Sequence, residues 1–201
     1  MHIGVIAPVF GVILIGELPD KTFIANLIMA SRHRSAPVWV GSAIAFAVHV
    51  VIAVGAGNLI AMLPHLPVQI VVAAFFGAGA AVLLITKEKD QISEGEHEAE
   101  LMEVGNRASD ARKIALTSFG IIFLGEWGDL TQILIANFSA KYHDPLSVGI
   151  GSLAGLLVAL SIAVASGRVL LRVLPMSMIR RASGLILAGF AIWTIVDAIK
   201  S

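Results

Sequence analysis

The 201-residue sequence contains no cysteine, so it forms no disulfide and offers no thiolate to a metal or a substrate. Charged residues are also scarce, at 14%, and the 14 basic residues balance the 14 acidic ones. A chain without net charge has no basic field of the kind that attracts nucleic acid. We therefore expect no nucleic-acid partner. We also expect no bound cofactor. Because the chain has no thiolate, any metal ligand must be an oxygen or an imidazole nitrogen.

Apolar residues take the place of charge, because 57% of the chain is hydrophobic and the mean hydropathy is +0.89. This composition is typical of a polytopic protein embedded in a lipid bilayer. At about 20 apolar residues per span, the sequence predicts six transmembrane helices. They are Ile3 to Ala30, Val38 to Leu63, Val68 to Thr86, Ile114 to Phe138, Leu146 to Leu170, and Ile179 to Ile199. The first lacks the basic flank of a secretory signal, so we expect it to remain as a span.

The basic residues orient this six-span arrangement. Eleven of the 14 fall on one side: Arg32, Arg34, Lys87, Lys89, Arg107, Arg112, Lys113, Arg168, Arg172, Arg180 and Arg181. Lys141 and Lys200 fall on the other side, and Lys21 lies within a span. Because loops rich in lysine and arginine stay in the cytoplasm, we expect both termini to be extracytoplasmic. The short chain has no transit extension, which favours a bacterial plasma membrane.

A polar, acidic segment divides the chain into two similar halves. We expect residues 87–113 to form a cytoplasmic linker between a first three-helix repeat, 1–86, and a second, 114–201. Gly41-Ser42 in the first half matches Gly151-Ser152 in the second. Because three is odd, the second copy is inverted in the membrane. The predicted fold is an all-α membrane protein of six transmembrane helices, built as two inverted three-helix repeats.

Each half carries a short acidic string inside an apolar segment. The strings are Glu17-Leu18-Pro19-Asp20-Lys21-Thr22 and Glu126-Trp127-Gly128-Asp129-Leu130-Thr131. A charged side chain at the bilayer centre costs about 2.5 to 3.5 kcal/mol, so such residues persist mainly where they bind or relay ions. In a continuous helix the Glu and Asp of each string share one face. Pro19 and Gly128 both weaken the helix, so we also expect a kink or a break there.

Together the two strings predict a cation site in which every ligand is an oxygen atom. The neutral oxygens of Thr22, Thr131, Gln132 and Asn26 lie near the four carboxylates in sequence. This donor set suits Ca²⁺, Mg²⁺ or Mn²⁺. Four ionised acids and Lys21 sum to minus three, and one divalent cation leaves minus one, so the empty site should hold protons that the metal displaces. The pattern therefore favours a cation/proton exchanger.

Other interpretations stay open at this point. One alternative is an intramembrane hydrolase of a lipid phosphate, which would require arginines and a nucleophile at the site. Another is a small-solute exporter, which would not require four acidic residues. Lys21 is either a tether to Glu17 or Asp20 or a surrogate cation in the empty site. His49 is more simply an interhelical histidine than a proton relay or ligand.

The two strings, with Trp127 and Gln132, resemble the paired signatures of the Gdt1 family, also called uncharacterised protein family 0016 and represented in humans by transmembrane protein 165. Its consensus is Glu-x-Gly-Asp-Lys/Arg-Thr/Ser, once in each three-helix half. The resemblance implies a secondary transporter of Mn²⁺ or Ca²⁺ against H⁺, with manganese export in bacterial relatives, and a homo-oligomer is compatible with it. The implied metal site is Glu17, Asp20, Thr22, Glu126, Asp129, Thr131 and Gln132. Pro19 replaces the family glycine, and Leu130 replaces the second basic residue.

Overall fold

The computed structural model describes residues 2–18, 20–60 and 110–166, with isolated positions between 62 and 97 and between 181 and 196. The continuous parts are helical. The helices are α1 (Ile3–Glu17), α2 (Lys21–Arg32), α3 (Ser35–Ile60), α4 (Ala111–Gly125), α5 (Leu130–Tyr142) and α6 (Pro145–Ser166). The predicted third and sixth spans and most of the linker lie outside the described residues.

Two of the described helices are long and apolar enough to cross a membrane alone. Helix α3 has 26 residues and α6 has 22, which correspond to about 39 and 33 Å at 1.5 Å per residue. Neither contains an aspartate, glutamate, lysine or arginine. The hydrocarbon core of a bilayer is about 30 Å thick. The described part of the chain is therefore that of an all-helical integral membrane protein.

The other two described spans are broken. Helices α1 and α2 meet at 67°, and α4 and α5 meet at 69°. Counting each bent pair as one span gives up to four spans in the described ranges. The expected break in the first string is confirmed, although Pro19 itself lies outside the described residues. The second break follows from Gly128, whose φ of 75° is a left-handed conformation that glycine adopts without steric cost.

One prediction about these segments is wrong. The Glu and Asp of each string do not share one face of a continuous helix, because Glu17 ends α1 and Asp20 precedes α2. Glu126 and Asp129 are separated by the equivalent break. The carboxylates of each pair converge across a helix break instead.

The two halves interlock through their long helices. Helix α3 packs on α4, and α6 packs on α1. A Cβ at Gly41 would collide with the carbonyl oxygen of Ala115, and a Cβ at Gly151 would lie 2.7 Å from that of Ile6. Ala115 follows Ile6 by the same 109 positions that separate Glu126 from Glu17. Corresponding glycines therefore allow corresponding close approaches, which bring the two breaks together in the core.

Candidate ion-binding site

The two helix breaks share one backbone hydrogen bond. The N–H of Asp20 donates to the carbonyl of Glu17 at 3.0 Å, and the N–H of Asp129 donates to the carbonyl of Glu126 at 3.2 Å. The Asp20 carboxylate then accepts from the N–H of Thr22 at 3.3 Å and caps α2. The Asp129 carboxylate caps α5 by accepting from its first N–H at 2.6 Å. Each aspartate thus satisfies a free donor at the positive end of a helix.

Glu17 lies where the two breaks meet. Thr22 Oγ1 donates to Glu17 Oε1 at 2.7 Å and lies 3.0 Å from an oxygen of Asp20. Thr131 Oγ1, from the other half, donates to Glu17 Oε2 at 3.3 Å. The Glu17 side chain is only 1% exposed. One buried carboxylate therefore joins both halves of the chain.

Three carboxylates converge at this point. One oxygen each of Glu17, Asp20 and Glu126 lies within 4.8 Å of the others. Glu126 is 2% exposed, and its Oε1 has no hydrogen-bond partner in the part of the chain that the structure describes. Because Ca²⁺–oxygen distances are about 2.3 to 2.6 Å, oxygens on opposite sides of one ion are about 5 Å apart. The spacing of the three carboxylates is therefore compatible with a shared cation.

The fourth carboxylate has a different partner. Lys21 Nζ lies 3.3 Å from Asp129 Oδ2, and the two side chains are 26% and 22% exposed. This ion pair runs from one half to the other. From the sequence, Lys21 was expected to pair with Glu17 or Asp20 of its own string. Sequence spacing indicates only local neighbours, so it did not predict the contact with Asp129. Asp129 is thus matched by a protein cation, whereas Glu126 is not matched by one in any ion pair of the described ranges.

Gln132 is engaged outside this carboxylate cluster. Its Oε1 accepts from the N–H of Gly128 at 2.8 Å, and its Nε2 lies 3.0 Å from His49 Nδ1. The amide oxygen that the resemblance implies as a ligand is therefore used to hold the second break. His49 is an interhelical histidine as expected, because its Nε2 also lies 2.9 Å from the carbonyl oxygen of Phe123.

Asn26 bridges two helices. Its Nδ2 donates to the carbonyl of Thr22 at 2.9 Å, and its Oδ1 accepts from Ser42 Oγ at 2.6 Å. The bridge ties α2 to α3 beside the site. No sequence pattern pointed to the Phe123 carbonyl as a hydrogen-bond acceptor, although every helix end frees carbonyls that need a donor.

Known proteins share this sequence pattern. A family model described as "Divalent cation/proton antiporter GDT1" matches residues 5–91 and 114–201. GDT1-like protein 3 of Arabidopsis thaliana is 31% identical over 198 residues, which cover 91% of this chain and 67% of the relative. GDT1-like protein 4 of Oryza sativa subsp. japonica is 31% identical over 196 residues, covering 90% and 68%.

GDT1-like protein 1, chloroplastic, of Oryza sativa subsp. indica is 31% identical over 215 residues, covering 97% of this chain and 62% of the relative. The chain thus spans about two thirds of the length of these relatives. No solved structure matches it. The matched family consists of transporters, so the hydrolase alternative is not supported. The resemblance carried by the two acidic strings is confirmed, and the chain belongs to the GDT1 family of divalent cation/proton antiporters.

Proposed function

We propose that this protein exports Mn²⁺ or Ca²⁺ from the cytoplasm in exchange for protons, by alternating access. The observation that carries the proposal is the meeting of Glu17, Asp20 and Glu126 oxygens within 4.8 Å, contributed by both halves of the chain. Carboxylate oxygens are hard ligands that suit both cations. No thiolate competes for the ion, because the chain has no cysteine.

Exchange follows from the charge of this cluster. Three ionised carboxylates at such spacing in a low dielectric repel one another and must be neutralised. A divalent cation and protons are alternative ways to neutralise them. A carrier that changes conformation only when neutralised therefore exchanges one for the other. The Thr22 and Thr131 hydroxyls, which donate to Glu17, are free to turn their lone pairs towards an arriving cation.

The architecture that we propose is two inverted three-helix repeats, residues 1–86 and 114–201, joined by a cytoplasmic linker, 87–113. It is supported by the equivalent Asp-to-Glu backbone hydrogen bonds at the two breaks and by the reciprocal packing of α3 on α4 and of α6 on α1. The family match also falls into two segments, 5–91 and 114–201, and the gap between them lies within the linker. In this arrangement both termini are extracytoplasmic.

The test is metal-coupled proton movement in proteoliposomes that contain a pH-sensitive dye. We expect Mn²⁺ or Ca²⁺, but not Mg²⁺, to produce a proton signal in the wild type. Mg²⁺ demands a nearly ideal octahedron and releases water reluctantly. Glu126→Gln removes one charge from the cluster and should abolish the signal. Asp144→Asn is the matched control, because Asp144 caps α6 through the N–H of Ser147 in the α5–α6 connection, away from the cluster.

Metal flux without proton movement would replace exchange by a uniport mechanism. An unchanged signal in folded Glu126→Gln would remove this residue from the ion site. Inverted and right-side-out vesicles separated by protease access to the linker would report the direction of transport.

A further inference from the structure

The second helix break is fastened to α3 by a chain of hydrogen bonds that has no equivalent among the described residues of the first break. The chain runs from Gly128 N–H to Gln132 Oε1 at 2.8 Å, from Gln132 Nε2 to His49 Nδ1 at 3.0 Å, and from His49 Nε2 to the Phe123 carbonyl at 2.9 Å. Gly128 lies within the break, and Phe123 lies in the last turn of α4. The contacts therefore enclose Glu126 from both sides along the sequence.

Hydrogen-bonding chemistry allows only one arrangement of this chain. The N–H of Gly128 needs an acceptor, so the oxygen of the Gln132 amide faces it and the amide nitrogen faces His49. That nitrogen can only donate, so His49 Nδ1 accepts. The remaining ring nitrogen, Nε2, carries the proton and donates to the Phe123 carbonyl, which can only accept. All three contacts are then satisfied by a neutral ring with a defined tautomer.

The ring is also held by packing. His49 is 2% exposed, and its centroid lies 4.9 Å from that of Phe123 and 6.0 Å from that of Trp127. Both aromatic residues belong to the segment that contains Glu126. A single residue of α3 thus contacts this segment by hydrogen bonds and by ring contacts.

The sequence offers no equivalent set of residues at the first break. Phe23 stands at the position of Gln132, and Pro19 stands at that of Gly128, which leaves no N–H to bind. With the offset that relates Ser42 to Ser152, Ala159 stands at the position of His49. The asymmetry shows that these hydrogen bonds are not a general requirement for a broken helix in this fold.

We propose that His49 and Gln132 are positioning residues that clamp the second break to α3 and so hold Glu126 at the ion site. The inference rests on the proposed function, because positioning matters only if Glu126 binds the transported cation. It reassigns Gln132 from metal ligand to support. The residues touch Gly128 and Phe123 rather than the ion.

The first test compares variants in the proteoliposome exchange assay. His49→Phe keeps an aromatic ring but removes both nitrogens, and Gln132→Leu keeps the size but removes both polar atoms. Each should raise the KM for the metal about tenfold, as expected for the loss of a small hydrogen-bonded network. The double variant should be no worse than either single one, because both break the same chain. If Gln132 were a ligand, the effects would add, and the inference would be overturned.

A matched control lies on the same two helices. Ser139 Oγ, on α5, donates to the Val54 carbonyl of α3 at 3.1 Å. Ser139→Ala therefore removes an α3–α5 hydrogen bond without touching the break, and we expect its KM to stay within about twofold of the wild type. An equal rise of KM in this control would assign the effect to helix packing and contradict the clamp.

The second test does not depend on transport. In ¹⁵N-histidine-labelled full-length protein, the His49 signals are assigned by their loss in His49→Phe, among the six histidines of the chain. We expect a protonated Nε2 and an unprotonated Nδ1, and a changed Nδ1 shift in Gln132→Leu. A proton on Nδ1 in the wild type would overturn the clamp. A wild type that shows this tautomer but exchanges no ion would contradict the proposed function alone.

Discussion

The Lys21–Asp129 ion pair gives a sharp prediction about metal affinity. Lys21 Nζ occupies, at 3.3 Å from Asp129 Oδ2, the place that a cation would take beside the fourth carboxylate. Apart from this ion pair, Oδ2 has no hydrogen-bond partner among the described residues. Removing the ammonium leaves Asp129 as an uncompensated charge near the cluster. We therefore predict that Lys21→Met binds a divalent cation more tightly than the wild type does.

The magnitude follows from the distance and the exposure. Two unit charges 3.3 Å apart attract by about 5 kcal/mol at an effective dielectric constant of 20. Exposed pairs contribute about 0 to 1 kcal/mol net, and breaking a buried pair costs about 3 to 5 kcal/mol. With side chains about one quarter exposed, this pair falls between the two classes. A gain of only 1.4 kcal/mol for the metal corresponds to about tenfold tighter binding.

Isothermal titration of detergent-purified protein with Mn²⁺ and Ca²⁺ measures this gain. Lys21→Arg keeps the charge and should leave the affinity unchanged. Leu130→Met changes the equivalent position of the other half without changing charge, and it should also have no effect. The double variant Lys21→Leu/Leu130→Lys moves the ammonium to the mirror position and should restore affinity close to that of the wild type. Unchanged or weaker binding in folded Lys21→Met would refute the idea that Lys21 competes with the ion.

Two glycine substitutions test the geometry of the fold. Gly128→Ala forces alanine into a left-handed conformation at φ 75° and should destabilise the protein by about 1 to 2 kcal/mol in a thermal-unfolding assay, whereas Gly120→Ala, in open space within α4, should not destabilise it. Gly41→Ala places a Cβ against the Ala115 carbonyl, so it should separate α3 from α4 and lower the unfolding temperature. The control, Gly55→Ala, lies on the same helix with no atom within 4 Å of the added Cβ and should unfold at the wild-type temperature or above. Equal unfolding temperatures of the two variants would contradict the close approach.

The sequence predicted the elements of this site better than their contacts. Apolar length identified α3 and α6, and the acidic strings marked the two breaks. The spacing of Glu17 and Asp20 suggested one helix face, but an aspartate that caps a new helix reorients the chain, and helical spacing no longer applies. Whether a break forms depends on the competition between capping and helix continuation, which tertiary packing decides.

Contacts between the two halves could not be predicted from the sequence for a related reason. Lys21 and Asp129 are 108 positions apart in sequence, and their pairing depends on how two segments cross. The role of Gln132 depends similarly on His49 of another helix. Residue type identified these side chains as polar and intramembrane, but only the packing of α3 between α4 and α5 selects their partners.

The one-sided contacts of the two breaks bear on the resting state of the transporter. A carrier made of two identical inverted halves would have inward-open and outward-open states of equal free energy, so neither state would be favoured. Here the first half supplies Lys21, which pairs with Asp129, and His49, which bonds Gln132, whereas the second half supplies Asp129 and Gln132. Exchanging the roles of the halves does not regenerate the same contacts. A free-energy difference of 1.4 kcal/mol is a tenfold ratio of populations. One such contact that is formed in only one of the two states is therefore enough to make the unloaded protein open predominantly to one side of the membrane.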